Sequence, residues 1–159
     1  QQPNRLFMAT GNGKFTEQAI ALGIDSTTQS RTTSCFDYDR DGDVDIFVGN
    51  LNSPVQLFEN QSRQKLKHSF IGIRLLGPPG NPQAIGSKIW VQTASFSLYR
   101  EINNASHYLS HSPSEAHFGL NNATNIKQVI VQWPDGLVKQ YKGLAINGWH
   151  YIKQTKSDS

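Results

Sequence analysis

Cysteine is nearly absent from this chain: Cys35 stands alone in 159 residues, so no internal disulfide can form and thiol pairing gives no sign of an oxidising compartment. Cys35 is expected to be a small buried apolar residue. Nor is there a stretch near the roughly 20 apolar residues that a membrane helix needs, so no membrane span is expected. The amino terminus, Gln1-Gln2-Pro3-Asn4-Arg5, carries no signal-peptide hydrophobic region, and any leader is expected to be missing from this chain. Lys and Arg are scattered, with Lys65, Lys67 and His68 as the only small cluster, so nucleic acid is not an expected partner.

What is present points to packed, punctuated structure: 36% hydrophobic residues, 10% aromatics, thirteen Gly and seven Pro, with no low-complexity run. The length suffices for one β-rich domain or two of roughly 60 to 90 residues each, and two are expected. The formal charge of +3 conceals an asymmetry. Residues 37–45 hold five Asp and one Arg, net −4, which leaves +7 for the rest.

Helical periodicity is scarce. Glu17 to Leu22, ending at Gly23, predicts a helical turn, and most other segments read as strands. Arg5 to Ala9 and Asp45 to Gly49 are short apolar runs, with Gly11-Asn12-Gly13 as a turn after the first and Gln56 to Asn60 resuming after Asn52-Ser53-Pro54. Residues 61–68 are polar and basic and predict a linker or exposed crossing, dividing the chain into 1–66 and 67–159. Beyond it, Phe70 to Leu76 precedes Gly77-Pro78-Pro79-Gly80. One long strand is expected over Lys88 to Ile102, with Ile89, Val91 and Thr93 on one face, then a loop over Asn103 to Ser114. Ile126 to Trp133 and Leu137 to Tyr141 flank Asp135-Gly136 as a hairpin, and Trp149 to Gln154 is a last strand. The expected class is mostly β, with antiparallel sheets packed as a sandwich or barrel in the second unit and blade-like hairpins in the first.

The segment Asp37-Tyr38-Asp39-Arg40-Asp41-Gly42-Asp43-Val44-Asp45 places an acid at every second position and glycine sixth. A hard cation such as Ca²⁺ takes six to eight oxygens, and a coiled loop brings carboxylates one, three and five to a common centre, with Gly42 permitting the sharp turn. The expected ligands are Asp37, Asp39, Asp41 and Asp45, with Asp43 contributing its backbone carbonyl. An EF-hand would need an acid at position twelve, which is Val48, and the residues after the loop read as strand. A bare acidic turn is the rival reading, but five carboxylates so close would repel without a cation.

With its flanks Asn4-Arg5-Leu6-Phe7, Gly11 to Thr16, Phe36 to Asn50 and Gln56 to Asn60, this loop resembles the FG-GAP/VCBS repeat of integrin-type β-propellers over roughly residues 3–61. The resemblance implies a calcium ion that rigidifies a hairpin of a propeller blade. Ala84 to Ile89, Tyr108-Leu109-Ser110, Ala116-His117-Phe118-Gly119-Leu120 and Val129 to Gly136 resemble the UnbV/ASPIC domain over roughly residues 69–154, found in cartilage acidic proteins and in bacterial surface or secreted proteins. Two departures are Asn121, where the family shows glycine, and Asn103 to His107, which replaces a glycine-rich approach. One repeat cannot close a propeller, so the chain is expected to be the carboxy-terminal part of a longer protein or to pair with other blades or a second copy.

Rival readings are weighed on particular residues. His107, His111 and His117 lack a helix to present them as zinc ligands, and for His117 a ring-to-backbone hydrogen bond locking a turn is the plainer role. Ser110, His111 and Asp135 lack a nucleophile elbow, so no enzyme activity is expected. An accessory role in a biosynthetic enzyme system remains as an alternative, because the UnbV name comes from biosynthetic gene clusters. Trp90, Trp133, Trp149, Tyr99, Tyr108 and Tyr151 could form a platform for a glycan or protein ligand, though packing is the plainer reading. Asn60-Gln61-Ser62, Asn104-Ala105-Ser106 and Asn122-Ala123-Thr124 are glycosylation sequons. The combined expectation is a calcium-binding structural or recognition module that is extracellular, at the cell surface or periplasmic, in adhesion or scaffolding.

Overall fold

A computed structural model describes residues 2–104 and 107–155, so the middle sequon falls partly outside the described residues. The order is β1 (Phe7–Gly11), β2 (Lys14–Glu17), α1 (Ala19–Leu22), β3 (Ser30–Phe36), β4 (Asp45–Asn50), β5 (Gln56–Phe58), α2 (Ser62–Leu66), β6 (Ser69–Leu76), β7 (Lys88–Gln92), β8 (Ser97–Glu101), β9 (Ala116–Asn121), β10 (Gln128–Gln132), β11 (Val138–Tyr141) and β12 (Gly148–Lys153). The protein is mostly β, and two of its sheets pack as a sandwich.

One layer of the sandwich is the antiparallel sheet β11-β10-β7-β8, and the other is β12-β6-β9. Strand alternation sends Ile89, Val91, Val129 and Val131 inward from the first, and Ile71, Ile73, Leu75, Phe118, Leu120 and Ile152 inward from the second. Burying each such side chain contributes roughly 1.5–3 kcal/mol. Trp133, 1% exposed, is the largest side chain of this core. Within the second layer β12 runs parallel to β6, whereas β9 pairs with β6 antiparallel.

The central strand β6 is buried over Phe70, Ile71, Gly72 and Ile73 without interruption, because both of its faces are covered. Ile71 and Ile73 enter the sandwich core, whereas Phe70 and Gly72 meet the aspartate loop and Trp149 on the other side. Trp149 pairs in register with Gly72, and Gly72 with His117, so one row across three strands reads Trp149, Gly72, His117.

The first half forms the hairpin β1-β2 and the three-stranded antiparallel sheet β3-β4-β5, in which β3 and β4 are joined by the aspartate loop. Gly23 takes φ 71° and closes α1, as the Glu17 to Leu22 pattern predicts.

Three expectations need correction. The long strand over Lys88 to Ile102 is a hairpin, β7 and β8, because Thr93 Oγ1 accepts the N–H groups of Ser95 and Phe96 and turns the chain. Residues 61–68 are not a bare crossing: they contain α2, whose first turn is tied to the aspartate loop. Cys35 is exposed, since the alternation that buries Ser34 turns its neighbour to the opposite side of β3. Asn121 adopts φ 53°, the left-handed backbone that asparagine tolerates in place of glycine.

Candidate metal centre

The loop between β3 and β4 coils through its own side chains. Asp39 Oδ1 accepts the N–H of Asp41 at 3.2 Å, and Asp41 Oδ1 accepts that of Asp43 at 2.9 Å, two successive Asx turns. Arg40 at φ 65° and Gly42 at φ 100° supply the left-handed backbone between them. A Cβ on residue 42 would overlap the ring of Phe70, so glycine is required there by space as well as by conformation.

This coiling brings carboxylate oxygens of Asp37, Asp39 and Asp45 within 4.8 Å of one another; among the described residues it is the only such grouping of three or more His, Cys, Asp or Glu side chains. Asp37 is 2% exposed, and its Oδ1 has no hydrogen-bond partner. Its Oδ2 accepts the Gly42 N–H and the Trp149 indole N–H, each at 3.1 Å. Asp45 Oδ1 accepts from the Asn60 N–H at 2.8 Å and Oδ2 from the Tyr38 N–H at 3.1 Å. Burial pushes the Asp45 carboxyl above the ordinary aspartate range. Those two N–H bonds oppose the shift, and the charges of Asp39 and Asp41 add to it.

Asp41 and Asp43 lie outside the three-carboxylate group. Asp43 turns its carboxylate to α2, accepting from Ser62 Oγ at 3.0 Å and the Arg63 N–H at 2.6 Å, which is compatible with a role through its carbonyl alone. The Arg63 guanidinium donates to the Asp41 carbonyl. A buried carboxylate oxygen without a donor is costly, and hard oxygens converging from three side chains are the donor set that a hard cation takes. The loop therefore fits such an ion chemically.

The sandwich holds the loop from behind. His117 Nε2–H donates to the Gly42 carbonyl at 2.9 Å, the ring-to-backbone bond expected of that residue, with the ring stacked on Phe70 at 5.5 Å between centroids. Burial lowers the His117 pKa below the ordinary histidine value; the bond to Gly42 and the charges of Asp37 and Asp43 oppose this, and Arg100 reinforces it. The Arg40 guanidinium grips Glu115 through two bonds, 2.9 and 3.0 Å, and lies 4.0 Å over the Trp149 ring. Glu115, Trp149, Asn60 and Arg63 are the participants that sequence reasoning missed. Spacing within the loop carries no signal for partners up to 112 positions away.

The other candidates separate. Ser110 Oγ donates to the Thr33 carbonyl, and Asp135 accepts from Leu137 and Gln154, so neither is free to serve the other. Of the six aromatics, Trp133 is core and Trp149 holds the loop, whereas Tyr108 and Tyr151 are exposed in separate places. Trp90 and Tyr99 alone adjoin, ring centroids 5.3 Å apart, on the outer face of β7-β8.

Residues 77–159, just over half of the chain, match the family described as ASPIC and UnbV. The chain is similar to cartilage acidic protein 1 of Mus musculus, 43% identical over 61 residues, or 38% of this chain and 9% of that protein. It is 44% identical to the Xenopus tropicalis protein of the same name over 57 residues, 35% of the chain and 9% of the relative. For the Homo sapiens protein the identity is 41% over 61 residues, again 38% and 9%. The matched segment thus spans about a tenth of each relative's length.

Proposed function

Because the chain belongs to the ASPIC and UnbV family, we propose that it is a non-enzymatic calcium-binding module of an extracytoplasmic protein, serving adhesion or scaffolding. Asp37, Asp39 and Asp45 would hold the ion through their carboxylates, and Asp43 through its carbonyl, while Asp41 shapes the loop. The ion would supply positive charge that offsets the mutual repulsion of the acids and fixes the β3–β4 connection. The observation that carries this reading is the buried, unpartnered Oδ1 of Asp37 within the carboxylate group. Calorimetric titration with calcium tests it: one ion per chain is expected, weaker binding of magnesium, and loss of binding in Asp37→Ala. Absence of calcium heat in the unaltered chain refutes it.

The first half, 1–66, is read as an FG-GAP/VCBS-like unit and 67–159 as the UnbV/ASPIC-like unit. Support for the former is an aspartate loop joining adjacent antiparallel strands, β3 and β4. The hairpin β1-β2 exposes both faces, with Phe15 at 65% and Phe7 at 58% on one and Met8 at 49% on the other, and a two-stranded hairpin is marginal without cover. Other blades or a second copy would provide it. Among the described residues no helix is long and apolar enough to cross a membrane. The relatives' printed name, cartilage acidic protein, supports an extracellular setting.

A second reading, recognition of a glycan or protein ligand, draws on Trp90 and Tyr99. Tyr99 is 43% exposed, and the row Tyr99, Trp90, Ile130 crosses the outer sheet face. Loss of ligand capture on a glycan array in Tyr99→Ala would favour it.

A further inference from the structure

The carboxylate of Asp37 is divided between two tasks. Its Oδ2 takes two N–H donors, one from Gly42 inside the loop and one from Trp149 on β12, and this leaves Oδ1 as the oxygen free to ligate. Trp149 is itself held by two contacts. Its ring fills the space over Gly72, where a Cβ would overlap it, and the Arg40 guanidinium lies 4.0 Å from the ring centroid while gripping Glu115. His117, in the same row, ties the Gly42 carbonyl.

We infer that Trp149 and His117 are outer positioning residues of the loop's cation site, so that cation binding and docking of the loop onto the β12-β6-β9 sheet are one linked equilibrium. This deepens the calcium reading and rests on it. A carboxylate whose second oxygen is held by fixed donors has little freedom to lose when the ion arrives, and outer partners of this kind typically govern affinity by about 10- to 100-fold. Linkage is reciprocal: if the sheet strengthens ion binding, the ion must strengthen the loop's hold on the sheet by the same factor.

The test uses the whole chain, with calcium chloride and EGTA as the two conditions. Trp149→Phe keeps an aromatic side chain on β12 but removes the indole N–H donor together with one of the two fused rings, so calcium affinity should fall about tenfold. Tyr151→Ser, on the same strand but exposed, should leave it unchanged. Calcium should also change indole emission in the unaltered chain and not in Trp149→Phe, which retains Trp90 and Trp133 away from the loop. Hydrogen exchange on the unaltered chain gives a readout independent of variant folding: calcium should protect 116–119 and 148–153 more than β11. Equal affinity in Trp149→Phe, or no selective protection of those strands, overturns the coupling while leaving the loop a calcium site. No calcium binding by the unaltered chain overturns both.

Discussion

Gly42 lies against the ring of Phe70, with no room between them for a Cβ, so the sharpest point of the aspartate loop is also its contact with the central strand of the sandwich. Gly42→Ala therefore meets two penalties: strain at φ 100° and overlap with an aromatic side chain buried in a covered face. We expect a loss of about 2–4 kcal/mol in chemical denaturation, whether or not calcium is present. A change below about 0.5 kcal/mol would contradict the contact.

The positions of the carboxylates rank their substitutions. Asp39→Ala removes a member of the converging group along with its Asx turn, whereas Asp41→Ala removes an Asx turn alone. Calorimetric titration should show Asp39→Ala with the larger loss of calcium affinity, and Asp41→Ala with a smaller loss and faster hydrogen exchange over residues 36–50. The reverse order would place Asp41 among the ligands.

Phe118 is fully buried between the two layers of the sandwich. Phe118→Ala should cost about 3–5 kcal/mol in urea denaturation, through lost burial and the cavity left behind. A loss under 1 kcal/mol would mean that the two sheets do not share a core.

His117 gives a pH dependence with a definite sign. Its folded pKa is lowered, chiefly by burial, so the unfolded chain takes up a proton at a pH where the folded chain does not. Its contribution to stability is complete above the ordinary histidine pKa of about 6.5 and is lost as pH falls through the lowered folded value. In EGTA, denaturation midpoints should fall between pH 7.5 and pH 5 more steeply for the unaltered chain than for His117→Gln. Equal slopes would show that His117 does not titrate differently on folding.

Local patterns were legible where the chain's own spacing sets the structure. The alternating acids with Gly42 announce the coil, Asp135-Gly136 announces the β10–β11 reversal, and Glu17 to Gly23 announces α1. The period-two pattern correctly put Ile89, Val91 and Thr93 on one buried face, yet it could not show that the strand turns at Thr93, because a single hydroxyl capping two N–H groups leaves hydrophobicity unchanged. What stayed hidden is tertiary. Residues 61–68 are polar for the sake of Asp43 rather than solvent alone, and the parallel pairing of β12 with β6 that delivers Trp149 to Asp37 joins segments more than 70 residues apart.

The most direct measurement is thermal unfolding of the chain in EGTA and then in calcium, with magnesium as control. An ion bound only by the folded state must raise the midpoint, by about 5–10 °C when calcium stands a hundredfold above its Kd. A calcium-selective rise that disappears in Asp37→Ala is the expected result; an unchanged midpoint in the unaltered chain, or an equal rise with magnesium, would contradict a calcium site in the Asp37 to Asp45 loop.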